Sequence, residues 1–377
     1  MMKNHLKAKL ILEDGSIFNG FSFGHPGSIS GEIVFNTGMV GYPQSLTDPS
    51  YTGQILVFTF PLLGNYGVSD SGLDKYGIPI DFESSNIHIK AMVVSEYCSE
   101  HNHWNSKKSL ETWLKENNVP AIFGVDTRAL TIKIREKGVM LGKIIIGDSG
   151  IDQIEFYDPN KDNLVAEVSR KDVLSLGNGK YKIIVVDCGM KNNILRNLLK
   201  KDVTLKVVPW NYDFNKEEYD GLFISNGPGD PIHCQETIQH IKKAMELEKP
   251  IFGICLGHQL LALASGAKTY KLKYGHRGQN QPCVRNRKQG YVTSQNHGYA
   301  VDKDSLPDNW DELFFNANDG TNEGIKHSTL PFFSVQFHPE GSCGPNDTVY
   351  LFDEFIELIE KAKNSVVENN SDVTEIN

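Results

Sequence analysis

Long apolar runs and an excess of positive charge are both missing from this 377-residue sequence. No apolar run approaches the ~20 residues that a membrane-spanning helix requires, and the opening stretch, MMKNHLKAKLILEDGS, lacks the apolar core of a secretory signal. The chain has 38 basic and 47 acidic residues, a formal net charge of −9, whereas nucleic-acid-binding domains usually carry the opposite sign. We therefore expect no membrane insertion, no nucleic-acid binding and a cytoplasmic location.

Cysteine is also scarce, and its spacing is irregular. The six residues are Cys98, Cys188, Cys234, Cys255, Cys283 and Cys343. A small disulfide framework and a Cys-x-x-Cys zinc site are both excluded by this spacing. The stretch GPGDP at 227–231 does not continue into the Gly-Lys-Ser/Thr ending of a phosphate-binding P-loop. We expect reduced thiols, no metal, and no nucleotide site in this chain.

The first part of the chain has short β-like runs broken by Gly, Pro, Asn and Asp. A hairpin is predicted where residues 14–15, Asp-Gly, separate two such runs. A helix is predicted to begin at Asp126, whose side chain can cap it, and to end at Gly138. These signals predict a smaller α+β domain over residues 1–150.

The pattern changes after a polar connection at residues 151–180. Apolar strand-like runs such as YKIIVVD and GLFIS alternate with amphipathic segments such as NNILRNLLK. This alternation is typical of a parallel sheet with helices on both faces. We predict an α/β fold with a doubly wound, mostly parallel sheet over residues 181–364, followed by a polar tail or linker at 365–377.

Three loops of the α/β segment follow strand-like runs, which is where doubly wound folds place their active sites. They are GPGD at 227–230, CLG at 255–257 and HPE at 338–340. In the second loop, the sequence Gly-Ile-Cys-Leu-Gly matches the strand–nucleophile–helix turn of hydrolases. The start of the following helix favours a thiolate. We therefore expect Cys255 to be a nucleophile, although a lone cysteine more often serves only in packing.

A nucleophilic thiol needs a base and a residue that orients the base. His338 ends the apolar run FFSVQF, and Glu340 follows within reach of its imidazole. His258, beside Cys255 in the first helical turn, is the competing base. We favour His338, because an imidazolium is disfavoured at a helix N-terminus. The pair also matches the His-x-Glu of zinc deaminases, but the Pro-Cys-x-x-Cys half of that motif is missing.

Several motifs together resemble the class I glutamine amidotransferases, a family with a catalytic triad. These motifs are GICLGHQ, SNGPGD and FHPE. Longer stretches resemble the glutaminase part of carbamoyl-phosphate synthetase: KTYKLKYGHRGQNQPC, TSQNHGYAVD, NANDGTNEGI, FNTGMVGYP and LTDPSY. The resemblance covers residues from about 8 to 362 and is nearest in look to the eukaryotic pyrimidine-pathway form.

The resemblance implies a role for each matching residue. Cys255 would attack the glutamine carboxamide, His338 would transfer the protons, and Glu340 would orient His338. The backbone N–H groups of Gly227 and Leu256 would stabilise the oxyanion. The residues implied in substrate binding are Ser50, Gly229, Gln259, Asn296, Gly298 and Tyr299. Relatives in the ammonia-dependent branch lack the cysteine, so its presence implies glutamine hydrolysis.

The resemblance also implies a reaction and a partner. L-glutamine would be hydrolysed to glutamate and ammonia, and a carbamoyl-phosphate synthetase large subunit or fused synthetase domain would use the ammonia with bicarbonate and ATP. No cofactor is expected in this chain, whereas ATP and magnesium are expected in the partner. Two alternatives stay open: a catalytically weak regulatory or docking subunit, and a different class I amidotransferase, such as one serving anthranilate or GMP synthesis. A free subunit and a fused domain, and the pyrimidine and arginine pathways, are equally compatible with the sequence.

Overall fold

The computed structural model describes residues 5–147 and 154–374, and side chains as far as residue 365. The chain forms two compact units. The first unit contains the residues up to 164 together with 272–279, and the second contains the remainder. The start of the predicted connection, residues 151–153, and the last three residues of the predicted tail lie outside the described residues.

The first unit is built around a closed seven-stranded barrel. Its elements are β1 (Lys7–Leu12), β2 (Ile17–Ser22), β3 (Ile29–Asn36), α1 (Tyr42–Leu46), β4 (Gln54–Phe58), β5 (Leu62–Leu63), β6 (Val68–Ser69), β7 (Ala91–Val93), β8 (Glu96–Tyr97), β9 (Ser106–Lys108), α2 (Leu110–Glu116), β10 (Ala121–Phe123), α3 (Thr127–Lys137) and β11 (Met140–Ile146). Around the barrel the strands follow the order β1, β11, β3, β4, β7, β10, β2. The strands and helices together confirm the predicted α+β character.

Local signals account for two elements of this unit. The β1–β2 hairpin turns at Gly15, whose φ of 85° favours glycine and whose N–H donates to the carbonyl of Leu12. Helix α3 begins after Asp126, whose carboxylate accepts a hydrogen bond from the Ala129 N–H at 2.8 Å. The same helix ends at Gly138, with a φ of 105°. Both predictions are confirmed.

The motif LTDPSY forms a tight turn in the first unit. Residues Pro49–Tyr51 make one turn of 3₁₀ helix, and the Asp48 carboxylate accepts a hydrogen bond from the Ser50 N–H at 2.9 Å. Ser50 itself is 7% exposed. The sequence therefore holds this serine in a rigid, capped turn rather than in a loose loop.

The second unit is built on a ten-stranded sheet, although Leu164 and residues 272–279 of the elements named here belong to the first unit. Its elements are α4 (Leu164–Val168), β12 (Leu174–Gly177), β13 (Tyr181–Asp187), α5 (Asn192–Leu198), β14 (Val203–Pro209), β15 (Gly221–Ile224), α6 (Gln235–Met245), β16 (Ile251–Ile254), α7 (Leu256–Ser265), β17 (Lys268–Arg285), β18 (Gln289–Asp302), β19 (Trp310–Asn316), β20 (Asn322–His327), β21 (Phe332–Val335) and α8 (Leu351–Thr374). The order is β12-β14-β13-β15-β16-β21-β20-β19-β17-β18.

The middle of this sheet is parallel, as predicted for the α/β fold. Strands β14, β13, β15, β16 and β21 pair in parallel, and strands β12, β20 and β19 extend the sheet in antiparallel pairs. The parallel strands are almost wholly apolar and buried, because helices cover both faces of such a sheet. The predicted fold class is confirmed.

Helix α8 packs on this sheet through aromatic side chains. Phe352 stacks on Phe223, and Phe355 contacts Phe252 with ring centroids 5.8 Å apart. The helix continues to Thr374, through most of the segment that the sequence analysis assigned to a tail or linker. Among the helices in the described ranges, none is long and apolar enough to cross a membrane.

Candidate active site

Four neighbouring parallel strands of the second unit end at the candidate site. In spatial order they are β13, β15, β16 and β21. The loops that follow them carry Lys191, Gly227, Cys255 and His338. Because the carboxyl ends of parallel strands lie at one edge of a sheet, four short loops distant in sequence meet there. The three loops singled out from the sequence come from three adjacent strands, β15, β16 and β21.

Cys255 lies at a sharp turn between β16 and α7. Its φ of 54° and ψ of −103° lie outside the regions that a residue with a side chain normally adopts. The turn is possible because the flanking glycines make room. A Cβ on Gly257 would lie 2.2 Å from the carbonyl oxygen of Ile224, and one on Gly253 would lie 2.5 Å from that of Gly257. Such backbone strain is typical of catalytic positions.

The Cys255 thiol contacts the backbone of β18, and the next residue, Leu256, contacts the loop after β15. The Cys255 Sγ lies 3.7 Å from the carbonyl oxygen of Asn296, to which the thiol can donate. The chain at Gly227 passes so close to Leu256 that a Cβ on Gly227 would lie 2.8 Å from Leu256 Cδ2. The N–H of Leu256 is in the first turn of α7, where helical N–H groups have no partner within the helix. The two predicted oxyanion residues are therefore neighbours, and Leu256 directly follows Cys255; their role stays a prediction.

His338 and Glu340 form a buried pair. The imidazole Nδ1 and the carboxylate Oε1 are 2.7 Å apart, and both residues are at most 2% exposed. The His338 N–H donates to the carbonyl of Ser294 at 2.8 Å, which fixes the loop to β18. Since a carboxylate can only accept, Nδ1 carries the proton, and Nε2 is the ring nitrogen that can take up a further proton. Among the described residues, Nε2 has no hydrogen-bond partner.

The pKa values of this pair move in opposite directions. Burial lowers the pKa of His338, but the carboxylate of Glu340 and the side chain of Cys255 raise it, and the net change is upward although Lys191 opposes it. Burial raises the pKa of Glu340, while Lys191 and His338 lower it, and the net change is downward. Opposite charges at short range favour both charged forms. Glu340 is therefore a carboxylate at neutral pH.

His258, the competing base, faces a different environment. Its Nδ1 lies 2.9 Å from the hydroxyl of Ser334 on β21, within the buried sheet. Burial lowers the pKa of His258 to about 3. A neutral imidazole bonded to a strand residue is a packing group, so the geometry favours His338 as the base.

The residues expected to hold the substrate form a connected group next to Cys255. The Gln259 amide donates to the carbonyl of Tyr299 at 2.9 Å and to Gln336 Oε1 at 3.0 Å. Because the Tyr299 carbonyl can only accept, this contact fixes which end of the Gln259 amide faces it. His297 Nδ1 bonds the same carbonyl at 2.7 Å, so the Tyr299 backbone is held from two sides.

Three further candidate residues differ in their placement. Gly229 lies in the loop after β15 with a φ of 83°, a backbone conformation that favours glycine. Gly298 lies between Asn296 and Tyr299 in β18. Ser50 belongs to the first unit, and its implied contact with substrate stays a prediction.

Sequence reasoning missed Lys191, a buried cation at the site. Its ammonium lies 3.0 Å from Glu340 Oε1 and 2.9 Å from the carbonyl oxygen of Gly341. Its backbone N–H donates to Asn226 Oδ1 at 3.0 Å. A signal for it was present, because Lys191 follows the buried strand YKIIVVD just as the other three loops follow theirs. Sequence reasoning also missed Gln336, although it lies in VQFHPE only two residues before His338.

Two family profiles match separate parts of the chain. Residues 10–144 match "Carbamoyl-phosphate synthase small chain, CPSase domain", and residues 184–358 match "Glutamine amidotransferase class-I". The first range lies in the barrel unit, and the second contains all four loops of the site.

Individual proteins agree with these matches. The chain is 54% identical to a multifunctional protein CAD of Squalus acanthias, over 94% of this chain and 16% of that protein. It is 51% identical to a mitochondrial carbamoyl-phosphate synthase [ammonia] of Homo sapiens, over 96% of this chain and 24% of that protein. The chain thus spans at most about a quarter of the length of these relatives.

A solved structure of a glutamine amidotransferase from Thermotoga maritima aligns with a TM-score of 0.36 and 21% identity, over 49% of this chain and 86% of that one. The sequence matches, by contrast, extend over both units. The chain belongs to the carbamoyl-phosphate synthase small-chain family, and its second part is a class-I glutamine amidotransferase domain.

Proposed function

We propose that this chain is the glutaminase component of a glutamine-dependent carbamoyl-phosphate synthetase. The observation that carries the proposal is the meeting of a cysteine on a strained strand-to-helix turn with a buried His338–Glu340 pair, 2.7 Å apart, at the ends of adjacent strands. A nucleophile, a base and an orienting carboxylate are the parts that acyl transfer requires. The family to which the chain belongs supplies the substrate, L-glutamine.

The first half-reaction would acylate Cys255. His338 takes the thiol proton as the sulfur attacks the carboxamide carbon of glutamine, and the oxygen of that carboxamide becomes an oxyanion beside the N–H groups of Gly227 and Leu256. Donors placed where charge develops stabilise the transition state more than the ground state. The C–N bond then breaks as His338 gives its proton to the departing nitrogen. Ammonia leaves, and a γ-glutamyl thioester remains on Cys255.

The second half-reaction would release glutamate. A water molecule attacks the thioester carbon while His338 takes one of its protons. The C–S bond breaks, glutamate leaves, and the thiol with its imidazole partner is restored. Glu340 keeps the imidazole in the orientation and tautomer that both steps use. The chemistry needs only this chain's side chains, so we expect no cofactor in it.

The substrate's amino-acid end would be held by the group around Gln259. The amide oxygen of Gln259 would accept from the α-ammonium of glutamine, and backbone groups of Asn296, Gly298 and Tyr299 belong to the neighbouring segment of β18. Gly229 would let the loop after β15 come close to the substrate. The resemblance to the family also assigns Ser50 to substrate binding.

A synthetase partner would consume the ammonia. Bulk water protonates free ammonia near neutral pH, so direct transfer to a docked or fused synthetase is favoured. The relatives are several times longer than this chain, which supports such a partner within a larger protein or complex. ATP and magnesium would be bound there, and a reducing, cytoplasmic setting would keep the Cys255 thiol available.

Glutamate release by the purified chain tests the proposal. We expect slow hydrolysis of glutamine, abolished in Cys255→Ser and unchanged in the matched variant Cys98→Ser, which alters a thiol of the first unit. Hydrolysis that survives in Cys255→Ser would overturn the triad assignment. A chain that is folded but inactive with and without its partner would instead favour a docking or regulatory subunit.

Addition of a synthetase that lacks its own glutaminase tests the partner. We expect faster glutamine hydrolysis and carbamoyl phosphate formation that persists when an enzymatic trap removes free ammonia from solution. Formation that the trap abolishes would contradict direct transfer. If addition of the chain supports anthranilate or GMP synthesis rather than carbamoyl phosphate synthesis, the proposed partner is wrong. The proposed glutaminase activity would be unaffected by that result.

A further inference from the structure

Lys191 places a positive charge inside the candidate site. Its side chain is 6% exposed, and that of Glu340 is wholly buried. Both Lys191 Nζ and His338 Nδ1 bond the same carboxylate oxygen, Oε1, at 3.0 and 2.7 Å. A buried ion pair of this kind costs desolvation energy, so a hydrophobic residue would serve packing equally well. Packing alone therefore does not explain why a charged residue is present here.

The charges of the four buried groups explain what the cation changes. With Lys191 present, its positive charge balances the negative charge of Glu340. The remaining two groups, His338 and Cys255, have no net charge either as imidazole and thiol or as imidazolium and thiolate. Without Lys191, the cluster carries one excess negative charge unless His338 binds an additional proton. Buried uncompensated charge is strongly unfavourable, so His338 would hold its proton more tightly.

Lys191 is also fixed by its backbone. Its N–H donates to Asn226 Oδ1 at 3.0 Å, and the Asn226 amide donates to the carbonyl of Gly189 at 3.1 Å. Asn226 directly precedes Gly227, the proposed oxyanion donor. One residue therefore connects the loop that carries the carboxylate with the loop that carries the oxyanion donor.

We propose that Lys191 is a positioning residue that neutralises Glu340, so that His338 can release and recover its proton during glutamine hydrolysis. This inference rests on the proposed function, because it assumes that His338 is the acid and base of the triad. The Lys191 ammonium contacts Glu340 and the carbonyl oxygen of Gly341, so Lys191 would act on His338 through Glu340.

The groups that face His338 come from three places in the fold. Glu340 belongs to its own loop, Cys255 to the turn between β16 and α7, and Lys191 to the loop between β13 and α5. Glu340 and Cys255 raise the pKa of His338 and Lys191 lowers it. Unit charges about 5 Å apart in a partly screened interior shift a pKa by about 1–2 units.

NMR titration of His338 in histidine-labelled full-length protein tests the inference without requiring activity. A Cys255→Ser background removes the sulfur anion and brings the titration into an accessible range. In that background we expect Lys191→Met to raise the midpoint of His338 by about 1–2 pH units. We expect Lys191→Arg, which keeps the charge, and Lys200→Met, at an exposed lysine after α5, to leave it in place. An unchanged midpoint in Lys191→Met would overturn the inference.

A double variant keeps the test decisive if the loss of Lys191 weakens folding. Lys191→Met with Glu340→Gln removes both buried charges, and we expect the His338 midpoint to fall below that of Lys191→Met alone. A midpoint equal to that of the single variant would contradict charge compensation.

In active protein, Lys191→Met should lower kcat for glutamine with little change in KM. A His338 midpoint that shifts in a protein without glutaminase activity would sustain the role of Lys191 and refute the proposed function.

Discussion

Two histidines near the nucleophile show how environment decides the role of a residue. His338 faces a carboxylate, which keeps its imidazole basic, whereas His258 faces a serine hydroxyl in the sheet, and burial keeps it neutral. The sequence alone favoured His338 on the basis of helix polarity, and the structure supplies the stronger reason. A base must have a partner for its second nitrogen, and only His338 has an acidic one.

Glu340→Gln should slow glutamine hydrolysis without preventing folding. The amide can still accept from the His338 ring, but it provides no charge and can bond the wrong tautomer, so we expect kcat to fall about 10²- to 10⁴-fold with KM nearly unchanged. Steady-state kinetics of glutamate release measure this. Glu236→Gln, at an exposed position in α6, is the matched control, and equal activity in the two variants would contradict the role of Glu340.

His258 should make stability fall as the pH becomes acidic. Its pKa is lowered to about 3 by burial, so the unfolded chain binds the proton first, and the stability present above pH 6.5 is lost as the pH falls. Between pH 7 and 5, linkage gives a loss of about 2 kcal/mol in the free energy of unfolding. Urea unfolding should show this loss in the parent chain and a smaller one in His258→Gln. Equal slopes would contradict a neutral, buried His258.

For single residues, sequence reasoning fails when the partner of a residue lies far away in sequence. Cys255, His338 and Glu340 were accessible because local motifs mark them. The position of Lys191 after a buried strand marked its loop, but the roles of Lys191 and Gln336 were not accessible, because they depend on side chains about 150 and 77 positions away in sequence. No spacing rule marks a residue whose partner is brought near only by the order of strands in a sheet.

At the scale of elements, the turn around Cys255 needs glycine at position 257, because the neighbouring strand packs too closely for a side chain. Gly257 contacts β15, where an added Cβ would lie 2.2 Å from a carbonyl oxygen. Gly257→Ala should lower the free energy of unfolding by about 1–3 kcal/mol or more, and should also reduce glutamine hydrolysis by displacing Cys255. Gly290→Ala, where an added Cβ meets nothing within 4 Å, is the control. Similar denaturation curves for the two variants would contradict the packing account.

Elements with local signals were predictable, and those that depend on distant pairing were not. The β1–β2 hairpin and helix α3 were both marked by their turn and cap residues. The closed barrel was not predicted, because its closure requires β1 to pair with β11, more than a hundred residues later. Polar composition likewise did not reveal that α8 continues to Thr374, since a helix whose first turns are packed can extend through polar residues.

At the scale of the whole molecule, the chain returns to its first unit after starting the second. Residues 272–279 belong to the barrel unit, where the carbonyl of Lys273 accepts from the Val139 N–H and that of Arg277 accepts from the Thr37 N–H. Tyr274 packs against Phe35 with ring centroids 6.1 Å apart. A simple division into consecutive domains therefore does not describe the first unit completely.

This return predicts a local effect of Tyr274→Ala. Loss of a partly buried aromatic contact should destabilise the barrel by about 1–3 kcal/mol and increase hydrogen exchange in β3 and β11. Hydrogen exchange followed by mass spectrometry measures this peptide by peptide. Tyr270→Ala, at a position 44% exposed in the same strand, should leave exchange unchanged. Equal effects of the two substitutions would contradict the assignment of 272–279 to the barrel unit.

Covalent capture shows whether Cys255 accepts the γ-glutamyl group. The protein would be treated with a γ-diazoketone analogue of glutamine, digested, and the modified peptide identified by mass spectrometry, with excess glutamine as competitor. We expect one adduct per chain, on Cys255, that glutamine suppresses and that Glu340→Gln forms more slowly. An adduct on another cysteine, or none in a chain that hydrolyses glutamine, would contradict this role of Cys255.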